Sequence, residues 1–459
     1  MADPLIHHIR RTLALGLPLV GSQVAQVSIG LTDTLMLGRY SVEALAASTL
    51  ASTYFFSFFI LGSGFAYAVM PMAASAATEG DATQVRRVAR MGLWLSVLYA
   101  LAVMPLLIWS GPILLALGQE DSVAVDAQTY LQIAGWGLFP FLIMATLRSH
   151  LSALERTRIV LWATLLAVAV NAILNWLLIF GNLGFPELGL RGAAIASVVV
   201  QTVAALVLAV YAARGPDMAR FELWKNPHRP DWPAFGQIFR LGWPIGLTHL
   251  SESGLFAASA VMMGWLGTVP LAAHGIAIQI AALTFMVHLG LSSAATVRVG
   301  QAWTKGDPVQ LSRAAWAATI LSGVAVLLAV ALYFGAGPWL IGAFVDAEDP
   351  KAPEILVLGV MLLAYAALFQ TVDAGQVMAL GYLRGLQDTR IPMIYAVICY
   401  WALGIPASYV LGFLMGWGAA GIWLGLTVGL ATVSCVLAIR FVRIAKSLHG
   451  EAHTAAAGG

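Results

Sequence analysis

Apolar stretches of 20 or more residues recur along the whole chain and are separated by short polar segments. About 20 apolar residues in a helix span the ~30 Å hydrocarbon layer of a membrane. Strands of a membrane barrel would instead alternate polar and apolar residues over about ten positions. The pattern predicts an all-α integral membrane protein with twelve spans, whose approximate cores are 13–37, 44–73, 91–117, 127–148, 158–181, 190–212, 237–265, 271–300, 314–343, 354–381, 390–413 and 419–443.

The two halves of the chain repeat each other. Residues 15–87 align with residues 241–313 without a gap, at a constant offset of 226. The matched pairs are Gly16 with Gly242, Pro18 with Pro244, Gly38 with Gly264, Gly64 with Gly290, and Arg87 with Arg313. Repeats of this kind are typical of secondary transporters, in which substrate binds between the repeated halves.

The repeat predicts two six-helix bundles, an N-lobe over 1–212 and a C-lobe over 237–446. Four prolines interrupt the polar segment 213–236, so this segment is predicted to be a linker rather than a helix. An even number of helices per lobe keeps both copies in the same orientation, which makes the repeat parallel. The small polar tail 447–459 is predicted to be disordered.

Composition and charge agree with a membrane protein. Hydrophobic residues make up 60% of the chain and charged residues 10%, whereas soluble domains carry about 25% charged residues. Of the 24 Lys and Arg residues, 21 flank one side of the predicted spans, and the exceptions are Arg39, Arg191 and Lys351. The positive-inside rule then places both termini in the cytoplasm, with the spans in the cytoplasmic (inner) membrane. The basic residues form no single patch, so no nucleic-acid partner is expected.

Three acidic side chains lie well inside predicted spans: Asp33, Glu252 and Asp373. A carboxylate at membrane depth is costly and is a candidate functional group. Counting from Arg240 and Arg384 at ~1.5 Å per residue, Glu252 and Asp373 both lie about 17 Å from the cytoplasmic boundary. They are predicted to form one C-lobe cation site for Na⁺ or H⁺, whereas Asp33 belongs to a separate N-lobe site.

Other polar residues are candidates for supporting these acids. Asn171 and Asn175 share one face of the fifth span, within reach of Asp33 if spans 1 and 5 pack together. An alternative role for both amides is hydrogen bonding between helices. His249 precedes Glu252 by one helical turn and, with Gln279, is an auxiliary candidate, although packing is the better interpretation for Gln201, Gln279 and Gln376.

The aromatic and methionine content would suit a cleft for flat lipophilic cations. Aromatic residues also collect at membrane interfaces, so no single one is assigned to a site. The sequence contains no phosphate loop, no zinc-spaced His/Cys cluster and no Gly-x-Ser-x-Gly motif. No enzymatic activity, direct ATP drive, bound cofactor or obligatory protein partner is therefore expected, and membrane lipid surrounds the spans.

Several stretches resemble the multidrug and toxic compound extrusion (MATE) family, most closely its NorM-like branch. The resemblance covers roughly residues 10–446 and is carried by ThrAspThrLeuMetLeuGly at 32–38, ProIleGlyLeu at 244–247, LeuAlaAlaHis at 271–274, ThrValArgValGlyGln at 296–301 and LeuArgGlyLeuGlnAspThrArgIlePro at 383–392. It implies two six-helix bundles and export of organic cations in exchange for Na⁺ or H⁺. By the same resemblance, Glu252 and Asp373 correspond to C-lobe cation-site acids, with Na⁺ as a candidate ligand, and Asp33, Asn171 and Asn175 to an N-lobe polar cluster.

Two positions depart from the family pattern. The family often has a tyrosine one turn before the helix-10 acid, where this chain has Phe369, and a glutamine after the helix-8 histidine, where this chain has Gly275. Both differences weaken the inference of Na⁺ at the C-lobe site of Glu252 and Asp373, and they leave H⁺ coupling, for example through Asp33, more open than is usual for the family. The alternative within transport is a flippase for lipid-linked precursors from the same wider superfamily, which should have a basic cleft rather than buried acids.

Overall fold

The computed structural model describes residues 5–346 and 348–457, and these residues form helices with no strand among them. The long helices are α1 Leu5–Tyr40, α2 Val42–Glu79, α3 Ala82–Ile108, α4 Asp121–Ala153, α5 Thr157–Leu178, α6 Leu190–Arg214, α7 Trp232–Leu266, α8 Thr268–Thr304, α9 Pro308–Gly342, α10 Ala352–Gly385, α11 Arg390–Leu414 and α12 Gly418–Ala457.

Each long helix overlaps one of the predicted cores, and the prediction of an all-α membrane fold is confirmed. Within the described part of the chain, eleven of the helices are long and apolar enough to cross a membrane by length and composition. The twelfth, α7, is equally long at 35 residues, but it carries Arg240, His249 and Glu252. These polar groups make α7 a candidate for function.

Two of the helices are irregular. A 3₁₀ turn at Gly135–Gly137 interrupts α4, and α11 contains π-helical turns at Cys399–Gly404 and Val410–Leu414. A proline removes a backbone donor and disturbs regular α-helical bonding around it, so Pro406 accounts for the wider first turn. The predicted third core reached residue 117, whereas α3 ends at Ile108 and a separate short helix covers Ser110–Ala116.

The chain forms two compact units that divide α1 and α7 internally. One unit contains Met1–Val20 and Thr248–Gly459, and the other contains Gly21–Leu247. The predicted lobes would keep α1 whole in one unit and α7 whole in the other. In the structure, the first half of α1 belongs to the unit that contains Thr248–Gly459, and the first half of α7 belongs to the unit that contains Gly21–Leu247. Pro18 and Pro244 lie within these helices, just before the points where the chain passes from one unit to the other.

Repeat-matched glycines allow the exchanged helix halves to pack closely. A Cβ atom at Gly290 of α8 would lie 2.6 Å from the backbone nitrogen of Val20 in α1. In the other unit, a Cβ atom at Gly64 of α2 would overlap the backbone of Gly242 and Gly246 in α7. Small residues let helix backbones approach in membranes, so the repeated glycines have a packing role in both units.

The linker between α6 and α7 is held against α3. Arg87 Nη2 donates to Asp231 Oδ1 over 3.0 Å, and Trp94 Nε1 donates to the Pro227 carbonyl over 2.8 Å. The hydrogen bond from Arg87 holds the pKa of the Asp231 carboxyl below its usual range. Helix α6 ends at Arg214 and α7 begins at Trp232, with a 3₁₀ turn at Ala219–Phe221 between them.

The C-terminal segment differs from the sequence prediction. The structure continues α12 as a helix to Ala457, whereas disorder is predicted from Ser447 onward. Three successive alanines precede the final glycines, and alanine has the highest intrinsic helix propensity. The last two residues, 458–459, lie outside the described part of the chain.

We expect Gly64→Val to destabilise the protein because the new side chain would meet backbone rather than a mobile side-chain end. The loss should be about 1–3 kcal/mol, the usual cost of overpacking. It is measured as a lower thermal unfolding midpoint of the purified protein in detergent. Gly323→Val in α9 is the matched control, since a Cβ there meets nothing within 4 Å. Equal midpoints for the two variants would contradict the packing role.

Candidate site of buried carboxylates

The structure brings Asp33 together with Asn171 and Asn175. Asp33 is partly buried on α1, and both asparagines are fully buried on α5. Asp33 Oδ1 accepts hydrogen bonds from Asn171 Nδ2 at 2.8 Å and from Asn175 Nδ2 at 2.5 Å. The i,i+4 spacing of the asparagines places both amides on one helix face, so a single carboxylate oxygen receives both.

The second oxygen of Asp33 has a different environment. Ser197 Oγ on α6 lies 3.5 Å from Oδ2, at the limit of hydrogen bonding. The amide nitrogens of Asn171 and Asn175 face the acid, and neither amide oxygen has a hydrogen-bond partner among the described residues. Oδ2 therefore has fewer and longer donor contacts than Oδ1 and is the oxygen better able to take a proton or a small cation.

The second acidic site lies in the other compact unit, between α7 and α10. Glu252 is 7% exposed, and its Oε1 accepts a 2.7 Å hydrogen bond from Gln376 Nε2. Asp373 is 2% exposed and lies one helical turn before Gln376, on the face of α10 that meets Glu252. Two buried carboxylates that both carried a charge would repel each other, so a proton or cation is needed to stabilise the pair.

A chain of polar contacts connects Glu252 to the end of α10. His249 Nδ1 lies 3.8 Å from Glu252 Oε2, and Arg384 Nη2 lies 3.0 Å from His249 Nε2. Arginine has donors only, so His249 Nε2 must accept and the ring proton must be on Nδ1. The histidine therefore presents an N–H group toward Glu252 and does not carry a second positive charge there.

Sequence reasoning missed two residues of this site. The sequence favours a packing role for Gln376, yet this side chain donates to Glu252, and its position three residues after Asp373 indicates that the two share a helix face. In the sequence Arg384 is one of the charges that flank a span, whereas in the structure it contacts His249. Gln279, an auxiliary candidate, is exposed on α8 and makes no hydrogen bond to either acid within the described structure.

The donor set suits a monovalent cation. Among the described residues, no three His, Cys, Asp or Glu side chains come together as a metal group. Asp373 Oδ1 and Gln376 Oε1 are buried and have no hydrogen-bond partner among those residues. Buried oxygens from carboxylates and an amide fit a hard cation such as Na⁺, and the carboxylates alone would fit H⁺.

A separate cavity of about 1260 Å³ lies between α9, α10 and α12 in the same compact unit. Its lining is mainly apolar, with polar groups from Tyr382, Ser434 and Lys446. Glu252 and Asp373 do not line it. The cavity is therefore distinct from the acidic site.

Comparisons with known proteins agree on one family. A family model described as MatE matches residues 18–177 and 244–410. A probable multidrug resistance protein NorM from Rhizobium meliloti is 46% identical over 440 residues, covering 96% of this chain and 94% of the relative. A protein of the same description from Agrobacterium fabrum is 42% identical over 441 residues, covering 96% and 94%.

The fold is similar to that of solved MATE structures. The crystal structure of the eukaryotic MATE transporter AtDTX14 superposes with a TM-score of 0.86 at 19% identity, covering 98% of this chain and 100% of that one. The family model matches both repeated halves, and the relatives match nearly the full length. The chain is therefore a multi-pass membrane protein that belongs to the MATE family.

Proposed function

We propose that this protein is a secondary active multidrug efflux antiporter. It exports organic, mostly cationic compounds in exchange for Na⁺ or H⁺ by alternating access. The relatives named as probable multidrug resistance proteins support the substrate class. The observation that carries the coupling is the buried Glu252–Asp373 pair, because two such acids inside membrane helices require a counter-charge.

The coupling follows from differential binding. A cation can shift a protein between two conformations only by binding one of them more tightly. Glu252 lies on α7, the helix that the two compact units share, while Asp373 and Gln376 lie on α10 within one unit. A cation at these groups therefore acts on a helix that passes between the units, and its binding would favour drug release.

Asp33 is proposed as a second coupling group. It lies on α1, the other helix shared by the two units, beyond the crossing at Val20. Its Oδ1 is held by Asn171 and Asn175, and its Oδ2 has only the 3.5 Å contact with Ser197. This arrangement suits reversible binding of H⁺ or Na⁺ without loss of the hydrogen bonds that position the carboxylate.

A lipid flippase and an enzyme have less support than an antiporter. A flippase for pyrophosphate-linked lipids would need free basic groups at membrane depth. Here Arg148 donates to Gln23 and Tyr67, and Arg384 contacts His249, so these guanidinium groups are already engaged. An enzymatic role lacks a recognisable reactive motif, and we propose that the protein acts without catalysis or a bound cofactor.

We propose the cytoplasmic (inner) membrane as the location, with both termini in the cytoplasm. The support is the placement of 21 of 24 Lys and Arg residues on one side of the spans. Small lipophilic cations are the proposed partners, together with surrounding membrane lipid and without nucleic acid.

Neutralising the buried acids should reduce transport while preserving the fold. We expect Glu252→Gln, Asp373→Asn and Asp33→Asn to lower efflux of a fluorescent lipophilic cation from cells by about tenfold or more, because each removes a charge from a coupling site. Membrane yield is measured in parallel. Glu354→Gln, an exposed acid at the start of α10, is the control and should export normally. Undiminished efflux in all three variants at normal yield would refute the proposal.

Fusion reporters test the orientation. A green fluorescent protein after Gly459 should fluoresce and an alkaline phosphatase there should be inactive, because that end is proposed to be cytoplasmic. The same reporters inserted near Lys351, in a loop predicted on the opposite side, should give the reverse result. An active phosphatase at the C-terminus would contradict the orientation.

A further inference from the structure

A third helix brings a buried hydroxyl group to the acidic site. Tyr400 on α11 is 0% exposed, and its hydroxyl has no hydrogen-bond partner among the described residues. The next residue on α11, Trp401, donates from Nε1 to Ser251 Oγ over 2.8 Å, so this turn of α11 packs against the turn of α7 that carries Glu252. A polar group buried in this way costs about 1–3 kcal/mol unless it is satisfied, so its position needs a reason.

The backbone of α11 explains how Tyr400 reaches this position. Tyr400 lies in the π-helical turn Cys399–Gly404, where the Ile405 N–H bonds to the Tyr400 carbonyl. A π-helical turn inserts a residue into the helix and is frequent at functional sites. The turn is held against α12, since a Cβ at Gly429 would lie 2.8 Å from the Cα of Gly404. The phenol therefore projects from a fixed backbone.

Other buried tyrosines in the same unit have partners outside the acidic site. Tyr333 Oη lies 2.6 Å from Thr284 Oγ1, and Tyr382 Oη lies 2.7 Å from Thr319 Oγ1. Both of these phenols thus have a threonine hydroxyl within hydrogen-bonding distance. Tyr400 differs because its hydroxyl has no hydrogen-bond partner among the described residues, and its helix contacts α7 beside Glu252.

Phe369 does not supply an oxygen to the acids. It is 2% exposed and packs edge-on against Phe256 and Trp423, with ring centroids 5.9 and 5.6 Å apart. Two uncharged oxygens are then the candidate cation ligands, the Tyr400 hydroxyl and the Gln376 amide oxygen. Both are buried and have no hydrogen-bond partner among the described residues.

We propose that Tyr400 and Gln376 complete the Glu252–Asp373 site as neutral oxygen ligands for Na⁺. This inference rests on the proposed antiport function and assigns the coupling ion of this site. Sodium is bound by several hard oxygens, whereas a proton needs only one carboxylate. Additional uncharged oxygen ligands therefore favour Na⁺ and are not needed to bind H⁺. Tyr400 is accordingly a specificity-determining residue, supplied by a helix other than those that carry the acids.

The test is Na⁺ binding to the purified full-length protein. Calorimetric titration with NaCl at constant ionic strength, with K⁺ as the replacement ion, should show that Tyr400→Phe raises the dissociation constant for Na⁺ at least tenfold. The thermal unfolding midpoint should stay near that of the unmodified protein, because the ring is retained. Tyr382→Phe is the matched control, since it removes a buried phenol oxygen elsewhere, and its Na⁺ affinity should be unchanged.

Gln376→Met provides a second variant that keeps a similar volume and removes the amide oxygen. It should weaken Na⁺ binding as well, in addition to removing the hydrogen bond to Glu252. If Tyr400→Phe does not fold, the Gln376→Met titration decides the proposal. Unchanged Na⁺ affinity in a folded Tyr400→Phe variant would overturn the role of Tyr400.

The outcomes also separate this inference from the proposed function. If the unmodified protein binds no Na⁺ but exports drug under a pH gradient, the Na⁺ site is wrong and the antiport function stands. If it exports under neither gradient, the proposed function itself fails. A lower midpoint in Tyr400→Phe with unchanged Na⁺ affinity would assign the hydroxyl a structural role only.

Discussion

A carboxylate inside a hydrocarbon layer must be protonated, hydrogen-bonded or bound to a cation, because water is not there to solvate it. This constraint organises both acidic sites. Asp33 receives two amide donors from one face of α5, and Glu252 receives one from Gln376 of α10. Each acid is thus positioned by a neighbouring helix, yet each site retains oxygens that no described protein donor satisfies. A site of this kind responds to cation binding without a large rearrangement of its own side chains.

The same helices that carry Asp33 and Glu252 connect the two compact units. The first halves of α1 and α7 pack through glycines that the repeat conserves in both copies of the chain, and a proline lies before each crossing point. A change in charge at either acid therefore acts on a helix that belongs to both units. This connection gives cation binding a physical route to a change in conformation.

Sequence alone predicts much of this structure because membrane helices leave a clear apolar signal. Each of the twelve predicted cores overlaps one of the long helices, and the i,i+4 spacing of Asn171 and Asn175 indicates a shared face. What the spacing does not show is which helix that face meets. The Gln376–Glu252 contact joins residues 124 positions apart, and the contact of Arg384 with His249 joins residues 135 positions apart. Tyr400 depends on a π-helical turn, and the added residue in that turn leaves no mark in the apolar pattern.

The central claim is that a cation gradient drives export through these buried carboxylates. The most direct measurement is uptake of a fluorescent lipophilic cation into proteoliposomes, with a Na⁺ gradient and a pH gradient imposed separately. The account predicts uptake under the Na⁺ gradient with the pH gradient collapsed, because Tyr400 and Gln376 are proposed to supply neutral oxygens to the site of Glu252 and Asp373. Uptake that responds to neither gradient would contradict the account.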